Sequence, residues 1–249
     1  MKNKKQIGLF DSGLGGYSIY RDLRQNFPET GFVLLADQKN APYGNKTNQE
    51  IIDTSLSAFK WFESRDIDTV IIACNTATAI ALEACREAFP HMNIVGIIDM
   101  TVDQLKEYPK GEIAVVSTMA TYLSHAYHDS MDRYGFRYTA KPLKKLVDYI
   151  ENLEPYDEYL HDELEEVKFA DYLILGCTHF PLVYDDFKKN YDHQILDSRK
   201  PIRDYVASHN HLECTGESEV YTTGDPELME IQIKSLVGDD VKVGKAQWK

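Results

Sequence analysis

The chain has 249 residues, of which 27 are basic and 40 acidic, for a formal net charge of −13. That length suits one or two domains, and so acidic a balance excludes a nucleic-acid scaffold, whose phosphate contacts need a dense Lys/Arg face. A hydrophobic content of 43% excludes a disordered chain, and no apolar run approaches the ~18 residues of a membrane helix. Residues 1–6 read as the lead-in to a strand rather than as a signal peptide. Four cysteines without a C-x-x-C pair suggest reduced thiols in a cytoplasmic protein, not a disulfide framework.

In chain order, the predicted strands are Gln6–Phe10, Phe32–Ala36, Thr69–Ala73, Ile94–Ile98, Ile113–Ser117, Tyr172–Gly176, Gln194–Leu196 and Val220–Thr223. Most are continuous apolar runs, as parallel strands covered on both faces require. Between them lie helical stretches at Leu14–Asn26, Asn48–Glu63, Thr78–Phe89, Tyr122–Tyr134, Asp157–Phe169, Pro181–Asn190 and Pro226–Leu236. This alternation predicts an α/β fold with a doubly wound sheet. The acidic stretch Asp148–Asp171 reads as a solvated helix face. One internal echo stands out: a buried strand leads directly into Cys74-Asn-Thr, and another into Cys177-Thr. Open α/β sheets bind ligands at the carboxyl ends of their strands, so two similar units could bring these ends together.

Four strand-end segments carry candidate chemistry. Asp11-Ser12-Gly13-Leu14-Gly15-Gly16 lacks the third glycine of a dinucleotide fingerprint. Its Asp is either a cap beside a glycine turn or an acid/base and ammonium contact, with Ser12 as a donor. Cys74-Asn75-Thr76 places a thiol between a strand and a helix N-terminus. A free Cys is often a small buried hydrophobe, but this setting predicts a lowered thiol pKa, with Asn75 and Thr76 as donors to a carboxylate. Cys177-Thr178-His179 repeats the pattern and adds a histidine able to take or return the thiol proton. Ser117–Thr121 offers hydroxyls at Thr118 and Thr121, either as a helix cap or as anion donors. The turn at Pro42-Tyr43-Gly44-Asn45 is either only a turn or a further source of donors. A zinc reading of Cys177 with His179 lacks a second ligand pair at zinc-site spacing. Cys85 reads as core and Cys214 as part of a polar loop.

Two thiols flanking one carbon meet a stereochemical need. Inverting a carbon centre removes a proton from one face and delivers one to the other, which no single side chain can do. One sulfur must be thiolate while the other is thiol, and the site must stabilise the carbanion between them.

The segments Phe10-Asp-Ser-Gly-Leu-Gly-Gly16, Pro42-Tyr-Gly44, Ala73-Cys-Asn-Thr-Ala77 and Leu175-Gly-Cys-Thr-His-Phe-Pro-Leu182 resemble those of glutamate racemases, in the cofactor-independent aspartate/glutamate racemase family. Thr118-x-x-Thr121-x-x-Ser124 and Thr223-Gly-Asp225 are similar to further family segments in the same order. The resemblance implies two pseudo-symmetric α/β domains, 1–98 plus 207–249 and 99–206, with the active site in the cleft between them. It implies Cys74 and Cys177 as the acid/base pair, supported by Asp11 and His179 respectively. Cys74 would act on the D-enantiomer and Cys177 on the L-enantiomer. Substrate contacts would come from Asp11, Ser12, Tyr43, Gly44, Asn75, Thr76, Thr118, Thr121, Thr178 and His179. The family's auxiliary glutamate falls here at Asp148 or Glu151, because the second proline of its motif is absent. The resemblance further implies no cofactor, neither pyridoxal phosphate nor a metal, a homodimer, and a cytoplasmic role supplying D-glutamate to peptidoglycan. Racemisation of aspartate or another acidic amino acid, or a partner-binding, gyrase-inhibitor-like role, are the alternatives.

Overall fold

Strands form where β-branched and apolar residues run without interruption. In the computed structural model, β1 (Ile7–Asp11), β2 (Phe32–Ala36), β3 (Thr69–Ile72), β5 (Ile113–Ser117) and β7 (Tyr172–Gly176) are buried along their whole length. The remaining strands are β4 (Asn93–Gly96), β6 (Thr139–Pro142), β8 (Gln194–Leu196), β9 (Glu219–Thr222) and β10 (Val243–Lys245). The structure describes residues 6–209, 214 and 216–247; residues 1–5, read above as the lead-in to the first strand, lie outside them.

The helices are α1 (Gly16–Asn26), α2 (Asn48–Glu63), α3 (Asn75–Ala88), α4 (Ile98–Asp103), α5 (Met119–Leu123), α6 (Ala126–Tyr134), α7 (Leu146–Asn152), α8 (Asp157–Glu165), α9 (Tyr184–Asn190), α10 (Arg199–Ser208) and α11 (Pro226–Val237). Their starts follow local chemistry. Thr47 and Glu50 close a capping box on α2: the Thr47 hydroxyl accepts from Glu50 N at 3.3 Å, and the Glu50 carboxylate accepts from Thr47 N at 2.8 Å.

Two sheets result, ordered β10-β9-β2-β1-β3-β4 and β6-β5-β7-β8. Every strand pairing is parallel. The order β2-β1-β3-β4 of the first sheet is repeated as β6-β5-β7-β8 in the second. The fold is therefore α/β, built of two pseudo-symmetric wound sheets, with β9 and β10 returning the chain to the edge of the first. Within the repeat, β3 and β7 occupy the same place, and each delivers one of the two strand-end cysteines. A shared apolar cluster unites Leu9 and Leu34 of the first sheet with Val116 and Leu175 of the second. Each such side chain contributes about 1.5–3 kcal/mol on burial, which fixes the two carboxyl edges in one relation.

Several boundaries differ from expectation. The strand expected at Ile94–Ile98 ends at Gly96, where a Cβ would lie 2.6 Å from the Leu82 side chain; Ile98 instead opens α4. The helix expected across Tyr122–Tyr134 breaks at His125, which adopts a left-handed φ of 59° between α5 and α6. Pro181 starts a short 3-10 turn, Phe180–Val183, ahead of α9. Edge strands β6 and β10 escaped the sequence reading because they are short and carry lysine, and in β6 also proline, as sheet edges tolerate. Cys214, expected in a polar loop, is buried.

Candidate active site

A cavity opens at the carboxyl ends of β1, β3, β5 and β7. Strand register sets its walls. Phe10 pairs with Ile72, and both Ala73 N and Cys74 N donate to Phe10 O, at 2.8 and 3.3 Å. This brings Cys74 beside Asp11 and Ser12. In the second sheet Gly176 pairs with Ser117, which sets Cys177 next to Thr118.

Cys74 caps α3. Its Sγ accepts from Ala77 N at 3.4 Å and lies 3.3 Å from Ser12 Oγ. The expected lowering of its pKa is not found. Burial, and then the Asp11 charge, push the thiol from its ordinary 9.0 up to about 12, against the donors Ser12 and Ala77. A single helix N-terminus does not offset the loss of water around a sulfur anion. Cys177 lines the same cavity. Its Sγ is 3.8 Å from Nδ1 of His179, and Nε2 of that ring is 2.7 Å from Glu151 Oε1. Burial pulls the imidazole down, but its bonds to Cys177 and Glu151 prevail and hold it well above its ordinary range. Burial likewise raises Glu151, yet the bond and charge of His179, with donors from Leu14 N and Gln38, keep its carboxyl below the usual value. The pair is an imidazolium–carboxylate contact, the imidazole buried and the carboxylate half-buried.

Asp11 is wholly buried behind this surface and does not line the cavity. It accepts from Gly13 N and from the Thr178 hydroxyl, both at 2.9 Å. Burial raises its carboxyl, while the His179 charge and these donors work the other way. Asp11 thus reaches Cys74 through its charge and Thr178 through a hydrogen bond.

Asn75, Thr76, Thr118, Thr178, Ser12, Tyr43 and Gly44 all line the cavity. Asn75 Oδ1 accepts from Tyr127 Oη at 2.9 Å, so its amide N–H₂ is left for an acceptor in the cavity. Thr76 Oγ1 lies 3.0 Å from both Thr118 Oγ1 and Thr121 Oγ1. Two expectations need correction. Thr121 is buried and lies behind Thr76 and Thr118, outside the cavity lining, so it orients their hydroxyls rather than meeting a ligand. Tyr43 donates its phenol proton to Asp37 Oδ2 at 2.8 Å, so it offers the cavity a ring edge and backbone. Of the two candidate acids, Glu151 meets His179, whereas Asp148 is exposed where it borders the cavity.

Sequence reasoning missed Asp37, Gln38, Lys144 and Gln232. Asp37 stands directly after the all-apolar β2, the same strand-end signal that singled out the cysteines. It accepts from Thr223 at 2.6 Å, Tyr43 and Asn40. Lys144 lines the cavity beside Asp148. Gln232 sits on the buried face of α11, where periodicity alone predicts only packing. Among the described residues, no group of three or more His, Cys, Asp or Glu side chains is arranged to hold a metal ion.

Two like sheets that each present a strand-end cysteine to one pocket define an α/β enzyme class with its site at the strand ends of a repeated sheet. Comparison with known proteins agrees: the family model described as Asp/Glu/hydantoin racemase matches residues 12–200. A glutamate racemase of Persephonella marina is 36% identical over 97% of this chain and 96% of its own length. The structure of glutamate racemase from Aquifex pyrophilus superposes with a TM-score of 0.82 at 30% identity, covering 98% of this chain and 99% of that one. A glutamate racemase isoform of Bacillus anthracis shares the fold with a TM-score of 0.88 at 23% identity, over 98% and 97% of the two chains. The chain belongs to the Asp/Glu/hydantoin racemase family.

Proposed function

We propose that this protein is a glutamate racemase that interconverts L- and D-glutamate by proton transfer at Cα between Cys74 and Cys177. The observation that carries this reading is that the two cysteines follow equivalent strands of a repeated sheet and line one cavity. The lobes 1–98 plus 207–249 and 99–206 belong to the same reading, as does supply of D-glutamate for peptidoglycan in the cytoplasm.

In the L-to-D direction, the Cys177 thiolate takes the Cα proton, leaving the bonding pair on carbon. Cys74, as thiol, delivers its proton to the opposite face and becomes thiolate. The reverse direction exchanges these states. The His179 imidazolium, 3.8 Å from Cys177, supports the charged state of that sulfur. The Asn75 amide, the Thr76, Thr118 and Ser12 hydroxyls and the N-terminus of α3 present donors to the substrate carboxylates. The buried carboxylate of Asp11 provides negative charge for the substrate ammonium. No step requires a cofactor.

The test is the optical activity of L-glutamate with purified protein in heavy water and no additive. Expected are decay of the signal to zero and replacement of the Cα hydrogen by deuterium in the product; Cys74→Ser and Cys177→Ser each lose racemisation. Enantiomers have equal energy, so kcat/KM must be the same in both directions for wild type and for every variant. Full racemisation by either single-serine variant overturns the two-thiol mechanism, and turnover of aspartate alone overturns the glutamate assignment.

A further inference from the structure

The carboxylate of Glu151 is held by more than His179. Its Oε1 also accepts from Leu14 N at 3.0 Å, and its Oε2 accepts from Gln38 Nε2 and Gln232 Nε2, both at 3.3 Å. Gln232 Nε2 further donates to the main-chain oxygen of Glu151 at 2.6 Å. The two glutamines are joined to one another, Gln38 Nε2 donating to Gln232 Oε1 at 2.9 Å, and Gln38 Oε1 accepts from the Thr222 hydroxyl at 3.0 Å. The amide protons and carbonyl oxygens of both side chains are thus used, and the four lone-pair directions of the carboxylate are filled. Reversing the Gln232 amide would set its oxygen against two acceptors of Glu151, so the network permits one orientation.

The connectivity is informative. Glu151 lies on α7, between the second and third strands of the second sheet. Its donors other than His179 come from the first half of the fold and the returning tail: the β1–α1 turn, the residue two beyond β2, and α11. Gln232 is 3% exposed. An amide pair, Gln232 buried and Gln38 half-buried, that reaches across the fold to one carboxylate, itself 2.7 Å from the histidine beside Cys177, does more than pack two elements together.

Resting on the two-thiol reading above, we infer that Gln38 and Gln232 are positioning residues, an amide clamp that sets the orientation of Glu151 and through it the His179 ring at Cys177. The clamp acts on the half-reaction at Cys177 and leaves the Cys74 half-reaction to Ser12 and Asp11. Without it, Glu151 could rotate about its side-chain bonds and His179 would follow. Displacement of a reacting group by about 1 Å costs up to about 100-fold in rate.

The experiment uses the full-length protein and its variants Gln232→Leu and Gln38→Leu, with kcat and KM measured in both directions. Primary isotope effects are read from L-glutamate and D-glutamate deuterated at Cα. Expected are a loss in kcat/KM of about 10- to 100-fold, carried by kcat with KM near wild type. The isotope effect should rise from L-glutamate, whose proton goes to Cys177, and fall from D-glutamate, whose proton goes to Cys74. Loosened packing alone would not move the two effects in opposite senses. Unchanged kcat, or isotope effects that stay in their wild-type ratio, overturns the inference. Loss of folding in both variants also counts against it, since it would make the amides structural cement. If the wild-type protein does not racemise glutamate, the functional reading fails first, and that result is separate from any behaviour of the variants.

Discussion

Cys74 should be ionised by its substrate rather than by its helix. In the ligand-free site, burial and the Asp11 charge lift its thiol from 9.0 to about 12. That rise is a factor of about 1,000 in thiolate population, or about 4 kcal/mol at ~1.4 kcal/mol per pH unit. An ammonium group placed about 4 Å from the sulfur contributes about 4 kcal/mol at an effective dielectric near 20. The two quantities offset, so an amino acid entering the cavity should return the thiol to its ordinary range. The assay is thiolate ultraviolet absorbance, read as the difference between wild type and Cys74→Ser at pH 9.0, the ordinary thiol value. Ligand-free protein should show almost no Cys74 thiolate. Saturation with α-methylglutamate, which carries the ammonium but no removable Cα proton, should bring about half of it into the thiolate form. 2-Oxoglutarate, with the carboxylates but no ammonium, should not. A full thiolate signal without ligand, or none with α-methylglutamate, refutes the reasoning.

Two further predictions follow from buried contacts. The Glu151 carboxyl lies below 4.5 and the His179 imidazole above 6.5, so their mutual stabilisation is complete between these values. It is lost as pH falls through the lowered Glu151 value, and again as pH rises through the raised His179 value. Glu151→Gln should cost about 3–5 kcal/mol within that window, with the Tm gap to wild type closing on both sides; a gap flat across the whole range would contradict the ion pair. Gly15→Ala should abolish turnover by about 100-fold or more, because its Cβ would lie 2.5 Å from Thr178 Oγ1 and His179 Nδ1 and 2.7 Å from the His179 backbone nitrogen. Near-normal kcat/KM in a folded Gly15→Ala protein would show that the β1–α1 turn has room to shift.

The interior strands were legible because each is a continuous apolar run, and the cysteines because each follows such a run directly. What escaped was set by distance in sequence. Gln232 meets Gln38 and Glu151 only because β9, α11 and β10 return to the first sheet, and no local pattern on α11 separates a buried amide from ordinary packing. The choice between Asp148 and Glu151 is likewise tertiary: they lie three positions apart on one helix, and the direction in which α7 faces His179 selects between them. The sign of the Cys74 shift was misjudged for an energetic reason. A strand-end position reveals the helix dipole but not the extent of dehydration, and here dehydration is the larger effect.

The repeated strand order has a chemical corollary. A duplicated sheet relates its halves by rotation, whereas the two enantiomers of a substrate are related by reflection, and a chain of L-residues has no reflected counterpart. On the proposed two-thiol mechanism the two sulfurs therefore cannot have identical surroundings, and they do not: one sits beside a hydroxyl and a carboxylate, the other beside an imidazole and its acid. Under that mechanism the repeat supplies opposed faces, and the differing neighbours fit each to one hand of the same molecule.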